Sequence, residues 1–139
     1  MAARDAILLV EDDDAVAGAL QVVFQGDGFI VRRASDGRTG LDAFRTASFR
    51  LVVLDLHLPD ISGTTVLQTL RSQNNWVPVL VLTGYPDFDS AFFTGRLKAV
   101  GYFVKPITDF RALLAAVRRA ASEPSPTRVP IFLSLWCQF

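Results

Sequence analysis

The chain has 139 residues, half of them apolar and a fifth charged, and its fourteen basic side chains are balanced by fourteen acidic ones. That is enough chain for one domain with a buried core. It leaves neither the net basic field of a nucleic-acid binder nor the acidic excess of a disordered chain. Cys137 is the only cysteine, which excludes an internal disulfide. No apolar run approaches the ~20 residues that span a bilayer, and the N-terminal residues do not form a signal peptide, so a cytoplasmic protein is expected.

In chain order, Ile7-Leu8-Leu9-Val10 is a continuous apolar run, the pattern of a strand buried on both faces. Val16, Leu20, Val23 and Phe24 follow at helical spacing, with Asp13 or Asp14 placed to cap that helix. Residues 29–34 form a strand candidate made more polar by Arg32 and Arg33, which suits a sheet edge. Residues 38–47 are a weaker helix candidate, followed by the continuous run Leu51-Val52-Val53-Leu54. Residues 64–72 are again weakly helical, and Val79-Leu80-Val81-Leu82 is the third continuous run. Residues 87–99 form a helix candidate rich in aromatics (Phe88, Phe92, Phe93), and Tyr102-Phe103-Val104 is the last run. Phe110, Leu113, Leu114 and Val117 make a final helical stripe, with Thr108 as its expected cap. Strict alternation of strands and helices predicts an α/β fold with a parallel sheet. Five of each fit the flavodoxin-like doubly wound (βα)5 architecture in strand order 2-1-3-4-5. Residues 1–122 are read as the domain. The proline-containing stretch 123–130 is read as a linker, and 131–139 as a short apolar tail.

Ligands of open α/β sheets bind outside the carboxyl ends of the strands. The residues that follow the four continuous runs are Glu11 and Asp12, then Asp55, then Thr83, then Lys105. Two or three carboxylates, a hydroxyl and an ammonium therefore converge on one edge of one sheet. Clustered carboxylates repel unless a cation joins them, and a hard oxygen site with few protein ligands suits magnesium. A carboxylate can act as a nucleophile and form an acyl phosphate. Magnesium, Lys105 and Thr83 can then neutralise or hydrogen-bond the transferred oxygens.

Taken singly, these residues have ordinary readings: acids at a helix start, a turn aspartate before Pro59, a strand-end threonine, a solvated lysine. Together, Val10-Glu11-Asp12-Asp13, the stretch from Leu54-Asp55 through His57 and Pro59 to Gly63, Leu82-Thr83-Gly84 and Tyr102-Phe103-Val104-Lys105-Pro106-Ile107 resemble the motifs of response-regulator receiver domains, in order and at matching spacing. The resemblance covers roughly residues 7–121. It implies that Asp55 is the phosphoryl acceptor, that Asp12 holds Mg2+ directly and Glu11 mainly through water, and that the main-chain carbonyl of His57 is a further ligand. It also implies that Thr83 and Lys105 bind the phosphoryl group, that Tyr102 is the switch aromatic and that the bond before Pro106 is cis. The partners it implies are a sensor histidine kinase or phosphotransfer protein upstream. Downstream it implies a protein target or a second copy, met through residues 87–99, 102–104 and 109–121, with no direct nucleic-acid or membrane contact. Such a domain catalyses its own phosphorylation and slow dephosphorylation without being a conventional turnover enzyme.

The family often has glycine where Lys98 stands, so the end of the fourth helix is expected to differ here. Two other classes are weighed. A haloacid-dehalogenase-like phosphohydrolase needs a second aspartate two residues after its nucleophile, where this chain has His57. A receiver fold used as a binding module without phosphorylation would not need the complete acceptor set.

Overall fold

The computed structural model describes residues 6–73 and 75–122; the linker and apolar tail read from the sequence lie outside the described residues. The elements are β1 (Ala6–Val10), α1 (Asp14–Gly26), β2 (Ile30–Ala34), α2 (Gly37–Thr46), β3 (Leu51–Asp55), α3 (Gly63–Ser72), β4 (Val79–Thr83), α4 (Phe88–Arg96), β5 (Gly101–Val104) and α5 (Phe110–Ser122). The five strands form one sheet in the order β2-β1-β3-β4-β5, every pairing parallel. This is the expected doubly wound topology, with the arginine-bearing strand at an edge.

The continuous apolar runs are explained by two cores, one on each face. Side chains alternate along a strand. Leu8, Val10, Val52, Leu54, Val79 and Val81 meet Ala43 of α2 and Val66, Leu67 and Leu70 of α3. Ile7, Leu9, Leu51, Val53, Leu80 and Leu82 meet Ala17, Leu20 and Phe24 of α1 and Leu113, Val117 and Ala120 of α5. The helical stripes are turned slightly from their expected setting. Ala17 is buried whereas Val16 and Val23 are only half-buried, and Phe110 is exposed. Val16 and Phe110 instead face an apolar cleft of about 260 Å³ beside Lys105, Pro106 and Ile107.

The caps are local. Asp13 Oδ1 accepts from the amides of Ala15 and Val16 at 2.9 and 3.1 Å, so Asp13 rather than Asp14 caps α1. The expected cap of α5, Thr108, is displaced by Asp109, whose Oδ1 accepts from the Ala112 amide at 3.0 Å. Asp109 stands immediately before the first helical residue, the position from which a side chain reaches the third amide. The Lys105–Pro106 bond is cis.

The end of α4 contradicts the expectation drawn from Lys98. Lys98 takes the left-handed conformation, φ 64°. Its amide donates to the Gly95 carbonyl and the Ala99 amide to the Thr94 carbonyl, both at 3.0 Å. These are the two bonds of a Schellman ending. The end of α1 has the same pair, with Gly28 at φ 95° and the amides of Gly28 and Phe29 donating to Gln25 and Phe24. Lysine is held in the left-handed setting by what surrounds it. The buried Arg71 of α3 donates to the Leu97 carbonyl at 2.7 Å, to Asn75 and Val77 at 2.9 Å, and to Lys98 at 3.5 Å. Burial lowers the Arg71 guanidinium to about 10, still charged at neutral pH.

A left-handed L-residue costs roughly 1–2 kcal/mol, part of which glycine returns as chain entropy. Lys98→Gly is expected to stabilise the protein by about 1 kcal/mol, read as a higher urea midpoint at unchanged slope. An unchanged or lower midpoint would contradict this account of the helix end.

Candidate functional site

Parallel pairing brings the strand ends level. Asp55 pairs with Leu82 and Thr83 with Val104. The ladder continues past the strands, so the site residues inherit its rigidity. The Glu11 amide donates to Ala34 at 3.0 Å, the Leu56 amide to Leu82 at 3.1 Å, and the Lys105 amide to Thr83 at 2.7 Å. Glu11 and Thr83 are wholly buried and Asp55 is 2% exposed. Asp12 and His57 are exposed.

Lys105 joins the cluster. Its Nζ donates to Glu11 Oε1 at 3.0 Å and to Asp55 Oδ2 at 3.3 Å. The other Asp55 oxygen, Oδ1, accepts from the His57 amide at 3.1 Å. Glu11 Oε2 accepts from the Asp13 amide at 3.2 Å. One oxygen from each of Glu11, Asp12 and Asp55 lies within 4.8 Å of the others. That is a compact, all-oxygen donor set that suits a hard divalent cation such as magnesium. Three carboxylates share one ammonium, and the imbalance appears in the acid–base behaviour. Desolvation, reinforced by Asp55, pushes the Glu11 carboxyl up to about 7 against the pull of Lys105 and the Asp13 amide. Desolvation would lower Lys105, but its contacts with Glu11 and Asp55 prevail and hold it above the ordinary lysine value.

The structure thus brings Glu11, Asp12, Asp55 and Lys105 together, and places Thr83 at the neighbouring strand end, where its carbonyl accepts from the Lys105 amide. Thr83 Oγ1 accepts from the Tyr85 amide at 3.1 Å, which leaves its O–H able to donate. Half-buried Tyr102 lies on the neighbouring strand, and its hydroxyl pairs with Ser90 Oγ of α4 at 2.7 Å. The His57 ring packs against Tyr85, centroids 4.7 Å apart.

Three supporting residues escaped sequence reasoning. Asp60 accepts from the amides of Gly37 and Arg38 at 2.8 and 2.9 Å, tying the loop after β3 to the start of α2. Despite the upward push of desolvation, the amides of Arg38, Gly37, Ile61 and Asp60 hold its carboxyl down at about 2. Gly63 lies so close to the acceptor strand that a Cβ there would stand 2.2 Å from the Asp55 carbonyl. Arg33 reaches from β2 to the main chain of Glu11 and Asp12. Asp60 and Gly63 both stand in the motif after Asp55, though it assigned neither a role; Arg33 acts on main-chain atoms and leaves no spacing signature.

A raised carboxyl favours its proton in the folded state, so its contribution to stability is full below about 4.5 and is lost as pH rises through about 7. With metal chelated, raising pH from about 5 to about 7.5 is expected to lower the unfolding free energy through this group by on the order of 1–3 kcal/mol. Glu11→Gln should flatten that slope in urea titrations. A Glu11→Gln protein with the wild-type pH slope would remove Glu11 as the cause.

Comparison with known proteins agrees with the geometry. The family model described as the response regulator receiver domain matches residues 7–118. The transcriptional regulatory protein QseB of Haemophilus influenzae is 39% identical over 115 residues, which cover 81% of this chain and 52% of that protein. The cell cycle transcriptional regulator CtrA of Caulobacter vibrioides is 36% identical over 100 residues, 72% of this chain and 43% of that one. The chain therefore spans about half the length of these relatives. Among solved structures, the non-phosphorylated HemR receiver domain of Leptospira biflexa superposes with a TM-score of 0.80 at 29% identity, covering 87% of this chain and 97% of that one. The response regulator protein TrrA of Thermotoga maritima, in complex with Mg(2+)-BeF, superposes at 0.76 with 28% identity, covering 84% and 98%. The fold, the strand-end cluster and the family match converge: this chain belongs to the receiver domains of two-component response regulators.

Proposed function

We propose that this receiver domain accepts a phosphoryl group on Asp55 from a phosphohistidine of a sensor histidine kinase or phosphotransfer protein, in the cytoplasm. The observation that carries the reading is the placement of Lys105 between Glu11 and Asp55, one ammonium shared by a nucleophile and a metal-ligand candidate. Asp12, Asp55 and the main-chain carbonyl of His57 would hold Mg2+, with Glu11 acting through water. The oxygen-only donor set fits it, and the TrrA relative carries Mg2+ in its structure. When bound, Mg2+ offsets carboxylate repulsion and the charge on the transferred oxygens.

The chain's own residues do the rest. An Asp55 carboxylate oxygen attacks phosphorus, the phosphorus–nitrogen bond of the donor breaks, and its electron pair returns to the imidazole. The His57 amide orients the Asp55 carboxylate through Oδ1. Lys105 passes from Asp55 Oδ2 to a phosphoryl oxygen and keeps Glu11 as its second partner. The Thr83 hydroxyl donates to another phosphoryl oxygen. That movement frees space beside β4. Tyr102 fills it by releasing Ser90, and α4 changes its setting: a population shift between two states.

Output is assigned to protein contact through α4, β5 and α5, with a target or a second copy and without direct nucleic-acid contact. Phe88, Phe92, Arg96, Lys98, Arg111 and Arg118 are all exposed on these helices and the turn that ends α4. Among the described residues no helix is long and apolar enough to cross a membrane.

Acetyl phosphate with Mg2+ should add about 80 Da, the mass of one phosphoryl group, to wild type and nothing to Asp55→Asn in intact-mass spectra. A full adduct on Asp55→Asn would overturn the acceptor assignment. Thr83→Ala should still gain the adduct, more slowly, and lose its transmission. With beryllofluoride, hydrogen-exchange protection over residues 88–104 should change in wild type and not in Thr83→Ala. Equal changes in both would remove Thr83 from the pathway.

A further inference from the structure

Arg33 belongs to β2, where the polar pair Arg32-Arg33 marks an edge strand. Its partner in the sheet is Leu9 of β1, so its side chain starts level with the end of β1 and has the acidic loop within reach. Its contacts go mainly to the main chain. Nε and Nη2 donate to the Glu11 carbonyl at 3.1 and 2.9 Å, and Nη2 also donates to the Asp12 carbonyl at 3.1 Å. Nη1 donates to Asp14 Oδ1 at 2.8 Å. An exposed arginine–aspartate pair would contribute little, and Asp14 is 92% exposed. The three bonds to successive carbonyls are of a different kind. A peptide unit is planar, so gripping the carbonyls of residues 11 and 12 fixes the planes on both sides of the Asp12 Cα. Glu11 depends on this grip less, because Lys105 holds its carboxylate directly. Asp12 is exposed, and the direction of its Cα–Cβ bond, from which the carboxylate starts, follows from its backbone.

We propose that Arg33 is a positioning residue for the divalent cation: it presets the backbone of residues 11 and 12, so that the Asp12 carboxylate is already directed at the cluster when the ion arrives. This rests on the reading of Asp12 as a metal ligand. A guanidinium suits this role best. Its fork spans two carbonyls and a carboxylate at once, whereas an ammonium is a single point of charge.

The test is calorimetric Mg2+ binding to the full chain; Trp76 stands before β4, at the sheet end away from Asp55, and is no reporter of this site. Losing a residue that orients a metal ligand typically weakens affinity 10–100-fold. Arg33→Met, which keeps the aliphatic stem, should raise the Mg2+ dissociation constant at least about tenfold. Arg33→Lys should fall between Arg33→Met and wild type. Arg32→Met, which loses the same charge from the neighbouring exposed position, should bind as wild type does. Phosphorylation of Arg33→Met by acetyl phosphate should be slow at low Mg2+ and return to within about threefold of wild type at saturation, the signature of lost affinity rather than lost chemistry.

Wild-type affinity in Arg33→Met and Arg33→Lys would overturn the proposal, as would a deficit that saturating Mg2+ does not restore. An equal loss in Arg32→Met would overturn it too, by reducing the effect to net charge. If Arg33→Met does not fold, wild-type affinity in Arg33→Lys decides against it alone. Wild-type protein that binds no Mg2+ would overturn the phosphoacceptor reading itself, and that outcome is distinct from all the others.

Discussion

Lys105 places its ammonium 3.0 Å from Glu11 and 3.3 Å from Asp55, two carboxylates with almost no exposure to solvent. Charges removed from water in this way are tolerated only when paired and hydrogen-bonded, and removing one partner of such a set leaves the other charges uncompensated. The rest of the fold can be understood as the means of bringing this ammonium to those acids. Lys105 is 94 residues from Glu11 and 50 from Asp55 in the chain, and only the parallel register makes them neighbours. The backbone bond from the Lys105 amide to the Thr83 carbonyl carries the ladder one step past β5 and fixes where the side chain starts. The two apolar cores sandwich the sheet between helices, and the parallel register keeps the strand ends level.

Much of this was legible because β1, β3 and β4 are buried on both faces. A continuous apolar run such as Leu51–Leu54 has no solvent side, and the first polar residue after it, Asp55, must sit at the sheet margin. The same logic located Glu11 and Thr83; the run before Lys105 differs from its expectation, because β5 is an edge strand of half-buried residues that ends in exposed Val104. It failed where partners are main-chain atoms. Nothing in the sequence says that Arg33 donates to two carbonyls of the next strand's loop, or that Asp60 accepts from the start of α2. Helix stripes were legible to within about one residue. Val16 and Phe110 have the spacing of core positions, yet they line a surface cleft, because Ala17 and Leu113 point more squarely at the sheet. Lys98 shows a local preference overruled by tertiary contacts. Arg71 and the packed Schellman bonds impose a left-handed residue that lysine does not favour.

The fourth helix is built unlike the others. Thr94 is its one buried residue, while Phe88 is 80% and Phe92 57% exposed, stacked on each other with Arg96 over Phe92. Its C-terminal end is anchored by Arg71, but its first turn is held by the Asp87 cap and by the Ser90–Tyr102 hydroxyl pair. Weak burial at one end and firm anchorage at the other suit an element that pivots rather than unfolds.

If Tyr102 switches as proposed, its hydrogen bond to Ser90 acts as a latch and sets how quiet the domain is. A single hydrogen bond between hydroxyls contributes on the order of 1 kcal/mol net, less than the roughly 1.4 kcal/mol that separates a tenfold difference in population. Were this latch the main restraint on the first turn of α4, a sizeable minority of unmodified molecules would already hold the released arrangement. Background output would then be a built-in property of the domain. The gain of the signal would depend on how much further the balance can be tipped, and a tighter latch would make a quieter but less responsive sensor.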